Sequence, residues 1–598
     1  MKNKIISKLF VLACLGSVTT LYAQEEKRDT LNRELTLERQ YNPTVLDANK
    51  VNITPDRREP ITRKMAIDYA SYGAVLFPEK EITLLPSGEM YTNIDYSKHR
   101  GYLNLAGGLH TNIDADLGYH ILDNQTDKLN LFFSHRSSNN GLDYQQNEED
   151  VKAKLNDNLA GIHFKHTFES VVFKLGGSFS YNAYNYFGHP DYEAGSSYTV
   201  GTTNSAADYE TNQANTTIRF NTGFQSRNAD KVNYRIDFDF LHLQQKYGLA
   251  KDYSGMKENV FHINGDLNTS LVDEDQRIGV LADIHAIGYN KPNVQGYYFD
   301  RLATYASKTD ITLTPYYTLR GNGINLTLGA ALSYYENQND SQTRIAPHVA
   351  FDASMGGRST FYFTADGGIK ANDLNQLINE CRFIDPSLAV DDYIKTPFDL
   401  KTGIKTGIID NVWFNLYGQY KQVENDLFFV KSTNSLTGNY FTEAMNPVNN
   451  FDTKLLRVGA DLRFDIQKYM EFSIKSAYNK WTVNYDKDIE SLDANEDLWA
   501  STRPDFEFGI NATIHPLEKL SIGVDYTLMT GRKMNFQKDV SAIEMNNISE
   551  LNLRGQYQLN DWVGAYAKIT NLLNQEFDSF YSYPTQKIGA MIGININF

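Results

Sequence analysis

The chain has 598 residues, of which 22% are charged and 13% aromatic, with 39 Tyr, 33 Phe and a formal net charge of −16. That polarity excludes a bundle of membrane helices, and an acidic balance without a basic stripe excludes nucleic acid as a partner. The only two cysteines, Cys14 and Cys381, cannot make a disulfide scaffold in an exported chain, because the first lies in the export signal described next.

The N-terminus reads as a secretory signal peptide over residues 1–23. Lys2, Lys4 and Lys8 precede a mostly apolar run from Leu9 to Leu21, and Leu21-Tyr22-Ala23 ends on a small residue before Gln24. No later stretch approaches about 18 consecutive apolar residues, so no transmembrane helix is expected. Residues 24–97 are charged, are broken at Asn42-Pro43 and Glu59-Pro60, and lack strand periodicity. They are expected to be a periplasmic or lumenal segment.

From about Gly101 the sequence switches to period-2 alternation and keeps it to the end. Val232, Tyr234, Ile236 and Phe238 oppose Asn233, Arg235, Asp237 and Asp239. Leu520, Ile522, Val524 and Tyr526 oppose Ser521, Gly523 and Asp525. Leu551, Leu553 and Tyr557 oppose Asn552, Arg554 and Gln556. One face must meet water and the other lipid or a core. Short connections (123–127, 227–231, 273–276, 321–323 and 356–358) alternate with long ones (138–156, 185–214, 291–307, 372–396, 426–454, 485–504 and 533–547). Short turns at one end and long loops at the other are the periplasmic and extracellular ends of a bacterial barrel. The spacing predicts an all-β fold: a transmembrane antiparallel up-and-down β-barrel of about 22 strands over residues 98–598.

The last segment alternates again. Ile588, Ala590, Ile592, Ile594, Ile596 and Phe598 share one face, and Asn595 and Asn597 lie on the other. Ile592, Ile594, Ile596 and Phe598 are expected to form the barrel-closing strand, which must pair with the first strand to remove the sheet edges. A terminal aromatic strand resembles the signal read by the barrel-assembly machinery, an expected partner during insertion along with outer-membrane lipid.

The run Ile569-Thr570-Asn571-Leu572-Leu573-Asn574-Gln575-Glu576-Phe577, followed by Tyr583-Pro584 and the closing strand, resembles the last two strands of TonB-dependent receptors. Leu37-Glu38-Arg39-Gln40-Tyr41-Asn42-Pro43 resembles the start of plugless, receptor-like barrels of Bacteroidota, and Asp29-Thr30-Leu31 resembles a TonB box. The resemblance implies a Gram-negative outer-membrane location and binding or passage of a solute. The chain departs from the family in having only residues 24–97 where a folded plug of well over a hundred residues stands, which puts energised uptake through TonB in question. A structural or assembly platform for envelope partner proteins is the alternative.

No enzyme motif or cofactor site is evident, so catalysis is not expected. His242 and His285 sit in strands near Asp239 and Asp283 without a catalytic pattern. The run 488–497 carries five carboxylates, Asp488, Glu490, Asp493, Glu496 and Asp497, which suit either a solvated loop or a hard cation. Tyr184, Tyr186, Phe187 and Tyr192 cluster where a strand enters a long loop. They read either as a ligand-stacking platform or as part of the aromatic girdle at the outer interface.

Overall fold

The computed structural model describes residues 99–598 apart from 144–149, 189–210, 228–231, 249–253, 272–274, 293–304, 337–340, 386–389, 391, 410, 432–443, 467–468, 486–499 and 535–542. The signal peptide, the segment 24–97, Tyr192 and the five carboxylates of 488–497 lie outside the described residues.

The strands in chain order are β1 Gly101–Gly108, β2 Ile113–Asp123, β3 Asp127–Asp143, β4 Asp150–Thr167, β5 Val171–Asn185, β6 Asn212–Ser226, β7 Val232–Gln245, β8 Lys257–Ser270, β9 Gln276–Asn290, β10 Lys308–Gly321, β11 Ile324–Glu336, β12 Ser341–Ser354 and β13 Ser359–Lys370. After helix α1 (Leu374–Glu380) come β14 Ile394–Ile409, β15 Val412–Lys431, β16 Met445–Ile466, β17 Met470–Tyr485, β18 Phe506–Leu517 and β19 Leu520–Thr530. The rest are β20 Lys533–Met534, β21 Ile543–Glu544, β22 Ile548–Gln558, β23 Val563–Thr570, β24 Asp578–Phe580, β25 Tyr583–Pro584 and β26 Gly589–Asn597. Twenty-two of them form a single sheet, while β20–β21 and β24–β25 are small hairpins within loops. Each barrel strand pairs antiparallel with its sequence neighbours, and β1 pairs with β26 to close the ring. Closure continues to the chain end, where Gly101 and Phe598 exchange both backbone hydrogen bonds, at 2.7 and 2.9 Å. A Cβ at Gly101 would stand 2.7 Å from the Phe598 ring, so the seam needs glycine there.

The alternation sorts the faces as expected. Ile236, Phe238, Phe261, Leu267, Ile278 and Val280 are exposed large apolar residues on β7–β9. Their polar neighbours pair on the inner wall, Arg219 with Asp239 at 3.5 Å and Arg235 with Asp237 at 3.4 Å. Arg136 with Asp116 at 2.9 Å and Arg554 with Asp525 at 3.7 Å continue this polar lining. An apolar exterior around a polar lumen is the arrangement of an outer-membrane barrel.

Both ends of the sheet, Gly101 and Phe598, lie at the short-turn end. Turn chemistry there is local: Asn124 Oδ1 accepts the backbone N–H groups of Thr126 and Asp127, and Asn322-Gly323 adopts positive φ at both residues, as a two-residue hairpin requires. At the other end the structure corrects two expected loops. β3 and β4 stay paired to Asp143 opposite Asp150, within the expected loop 138–156. β15 and β16 stay paired to Lys431 opposite Met445, within 426–454. The β3–β4 extension is mostly polar, while the β15 extension is a continuous apolar run, Leu427 to Val430, buried in the loop region, so in neither does the lipid-driven alternation that marks a strand persist although the ladder continues.

Candidate functional site

The loop between β13 and β14, expected to be irregular over 372–396, contains α1. Asp373 caps the helix by accepting the Gln376 N–H at 2.7 Å, and Leu374 and Leu377 are fully buried, with Ile378 packed beside them. The spacing i, i+3, i+4 gives so short a helix one apolar side, and the chain continues it with Cys381, Ile384 and Val390.

That side packs against Leu241, Leu243 and Met256 of the β7–β8 end and against Leu427, Phe429 and Met445 of the β15–β16 end. Met534 and Met545 of the β20–β21 hairpin and Phe580 and Tyr583 of the β24–β25 hairpin complete the cluster. β7 and β15 stand eight strands apart in the ring. One apolar core therefore crosses the barrel at its long-loop end, built by loops that fold inward.

The loop is anchored to the inner wall by polar contacts. Glu258 of β8, with no exposure, accepts the backbone N–H groups of Leu374 at 2.5 Å and Asn375 at 3.0 Å. Lys308 of β10 donates to the carbonyls of Asn372, at 3.2 Å, and Val390. Arg382 pairs with Asp157 of β4 at 3.2 Å, and Ile384 makes a parallel bridge to Met445. Burial pushes the Asp373 carboxyl above its usual range and raises the Cys381 thiol far above the ordinary thiol value, which leaves that sulfur inert as a nucleophile.

Of the aromatic candidates, Tyr184 and Tyr186 are buried at 5% and 3% exposure, with Phe187 beside them. Their rings meet Phe383 of the loop and Tyr583. Phe383 stacks on Tyr583 with centroids 4.0 Å apart, and Phe187 meets both edge-on at 5.1 and 5.0 Å. The Tyr186 hydroxyl donates to the Ile384 carbonyl at 2.6 Å, and burial raises it well above the usual phenol value. The girdle reading of Tyr184 and Tyr186 is corrected: both rings belong to the loop core, not to the lipid-facing surface.

Sequence reasoning missed Glu258, Lys308, Asp157 and Arg382. Their one signal was position, since Glu258 and Lys308 open the lumen face of their strands next to long loops. It also passed over His262, which the β8–β9 register sets opposite His285. His242 binds Asn259 at 2.8 Å, apart from the His285 group.

No family model and no curated protein matches the sequence. Solved structures match its shape. The ferripyoverdine receptor of the Pseudomonas aeruginosa outer membrane, bound to ferripyoverdine, is 12% identical, with a TM-score of 0.59 over 84% of this chain and 72% of that one. The copper transporter OprC is 12% identical, at 0.59 over 84% and 80%. The ferric enterobactin receptor PfeA of Pseudomonas aeruginosa is 10% identical, at 0.60 over 84% and 82%. Likeness at these identities is likeness of fold: the chain is an outer-membrane β-barrel resembling those of TonB-dependent receptors.

Proposed function

We propose that this barrel is a receptor that binds a solute at its long-loop mouth and passes it into the lumen, with the loop 371–393 as the movable closure. The observation that carries this reading is how the loop is held. Apart from the Ile384–Met445 backbone bridge, its polar anchors Glu258, Lys308 and Asp157 are side chains of the wall reaching loop backbone or one loop side chain. Such contacts re-form with water when the loop lifts, so opening exposes an apolar patch without stranding polar groups. Tyr184, Tyr186 and Phe187 then offer ring faces to a planar or glycan-like solute. Residues 24–97 are proposed to enter the lumen in part, where the polar wall offers charges and hydrogen bonds to pair with.

Planar-bilayer conductance tests this. Four forms are compared: the intact chain, one with residues 374–390 replaced by a short Gly-Ser linker, one lacking residues 27–80, and the combination. The intact chain should stay closed, each single change should give brief openings, and the combination should give a large stable pore. A combined variant that shifts normally on heating in a gel yet stays closed would overturn the reading and favour a non-conducting platform for envelope proteins.

A further inference from the structure

We infer that His262, Asp283 and His285 form a binding site for a divalent transition-metal ion on the inner wall, beneath the loop core, with Asp310 as the group that positions His285. This does not rest on the transport reading, since a metal can occupy the wall of a closed barrel as well as an open one.

The register creates the site. β8 and β9 pair with His262 opposite His285 and Asn264 opposite Asp283. Alternation turns Phe261 to lipid and these polar side chains to the lumen. The two imidazoles stack with centroids 4.0 Å apart and planes 11° apart, so their nitrogens lie close together. Asp283 reaches both rings, Oδ2 lying 3.1 Å from His262 Nε2 and Oδ1 3.1 Å from His285 Nδ1. One ligand atom from each residue falls within a sphere where all lie within 4.8 Å of one another. Donors around a tetrahedral ion with bonds of about 2.0–2.1 Å stand roughly 3.3–3.4 Å apart, so these atoms must draw together by no more than about 1.5 Å to hold an ion.

The bonding in the absence of an ion is incomplete. His285 Nδ1 faces Asp283 at 3.1 Å and Asp310 Oδ2 at 3.0 Å, and one N–H cannot serve both carboxylates. Asp310 is 4% exposed, and its other oxygen has no hydrogen-bond partner among the described residues. Two imidazoles and two carboxylates carry excess negative charge that a divalent ion neutralises. Two imidazoles and one carboxylate suit zinc or copper better than calcium or magnesium, which take oxygen. The ion takes His285 through Nε2, which leaves Nδ1–H to donate to Asp310, the usual carboxylate support of a ligating imidazole.

Glu258 and Lys308, the anchors of the loop, are on the same two outer strands of this β8–β10 unit. His262 is four residues from Glu258 along β8, about 13 Å at a strand's rise. The site thus lies one layer below the closure, reached from the lumen, with its three side chains 30–37% exposed.

Isothermal titration of Zn²⁺ into the purified full chain should show one site. His262→Ala with Asp283→Asn should weaken it at least 100-fold, while His348→Gln, on a histidine of the same wall paired with Asp366, should leave it unchanged. Asp310→Asn should weaken it about 10–100-fold and shift the visible absorption of the Co²⁺-loaded protein, a change that loss of folding alone would not produce. Each variant is checked by its heat-shifted gel mobility. Weak binding that the double variant leaves unaltered would mean adventitious metal only and would overturn the assignment.

Discussion

Ile592→Arg should destabilise the barrel in lipid by about 2–4 kcal/mol, the range for a cation held near the bilayer midplane, and Asn595→Arg should cost far less. Ile592 is 74% exposed on the outer face of β26, with Ile594 next on that face at 45%. Ile592, Ile594 and Ile596 pair with Gly107, Leu105 and Leu103 of β1, so this strand is the seam of the ring. Phe598 stacks on Tyr119 at 6.1 Å at its end. On the other face Asn595 donates to Asn104 at 3.0 Å, inside the lumen, where an arginine meets water and acids. A charge at Ile592 therefore strikes both the solvation of the strand and the pairing that removes the sheet's edges. Urea unfolding in lipid vesicles measures the two costs. Equal losses would show that the face assignment of β26 is wrong.

All 22 strands were legible because lipid imposes a rule that composition obeys: every second residue must be apolar wherever the strand crosses. Legibility stopped where lipid stops. Above it, Ser138 to Asn140 continues the ladder with polar side chains on both faces before Gly141, and nothing in the sequence separates that from a loop. The loop core was hidden for a different reason. Leu374, Leu377 and Ile384 come from one loop, Phe580 and Tyr583 from another, and Leu243 and Met445 from strand ends, so their common burial has no local period. Glu258 and the helix it caps are 116 residues apart. His285 was singled out in the sequence but its pairing with His262 was not, because a one-residue slip in the β8–β9 hairpin would turn one ring to lipid. What local sequence specifies here is the wall, while the closure and the histidine group depend on register and on contacts between distant loops.

The junction of β15, β16 and the loop before β18 yields the second large effect: Asp426→Ala should cost about 3 kcal/mol, the low end of the range for breaking a buried ion pair by removing one partner. The low end applies because the Arg503 side chain keeps 28% exposure, while Asp426 keeps 8%. Arg503 grips Asp426 with both terminal nitrogens, at 2.6 and 2.9 Å, and also donates to the Leu427 carbonyl at 3.2 Å. Its guanidinium lies over the rings of Phe428 and Trp481, at 4.6 and 5.0 Å, and Thr453 donates to the same carboxylate at 2.5 Å. The arrangement sits where the β15–β16 register shifts, between Val423 and Phe428, so the pair holds an irregular stretch of strand that the ladder alone leaves loose. Alanine removes the acceptor of four donors, the fourth being the Leu427 N–H at 2.9 Å, and leaves a cation between two aromatic rings without its partner. Asp426→Leu combined with Arg503→Met removes both charges and keeps volume, so it should cost much less than the sum of the single changes. A double-mutant cycle in urea decides between a pair that matters through its charge and one that only fills space. Additive losses, or a cost below about 1 kcal/mol for Asp426→Ala, would show that the aromatic packing of Phe428, Val430 and Phe451 holds this end of the barrel without the ion pair.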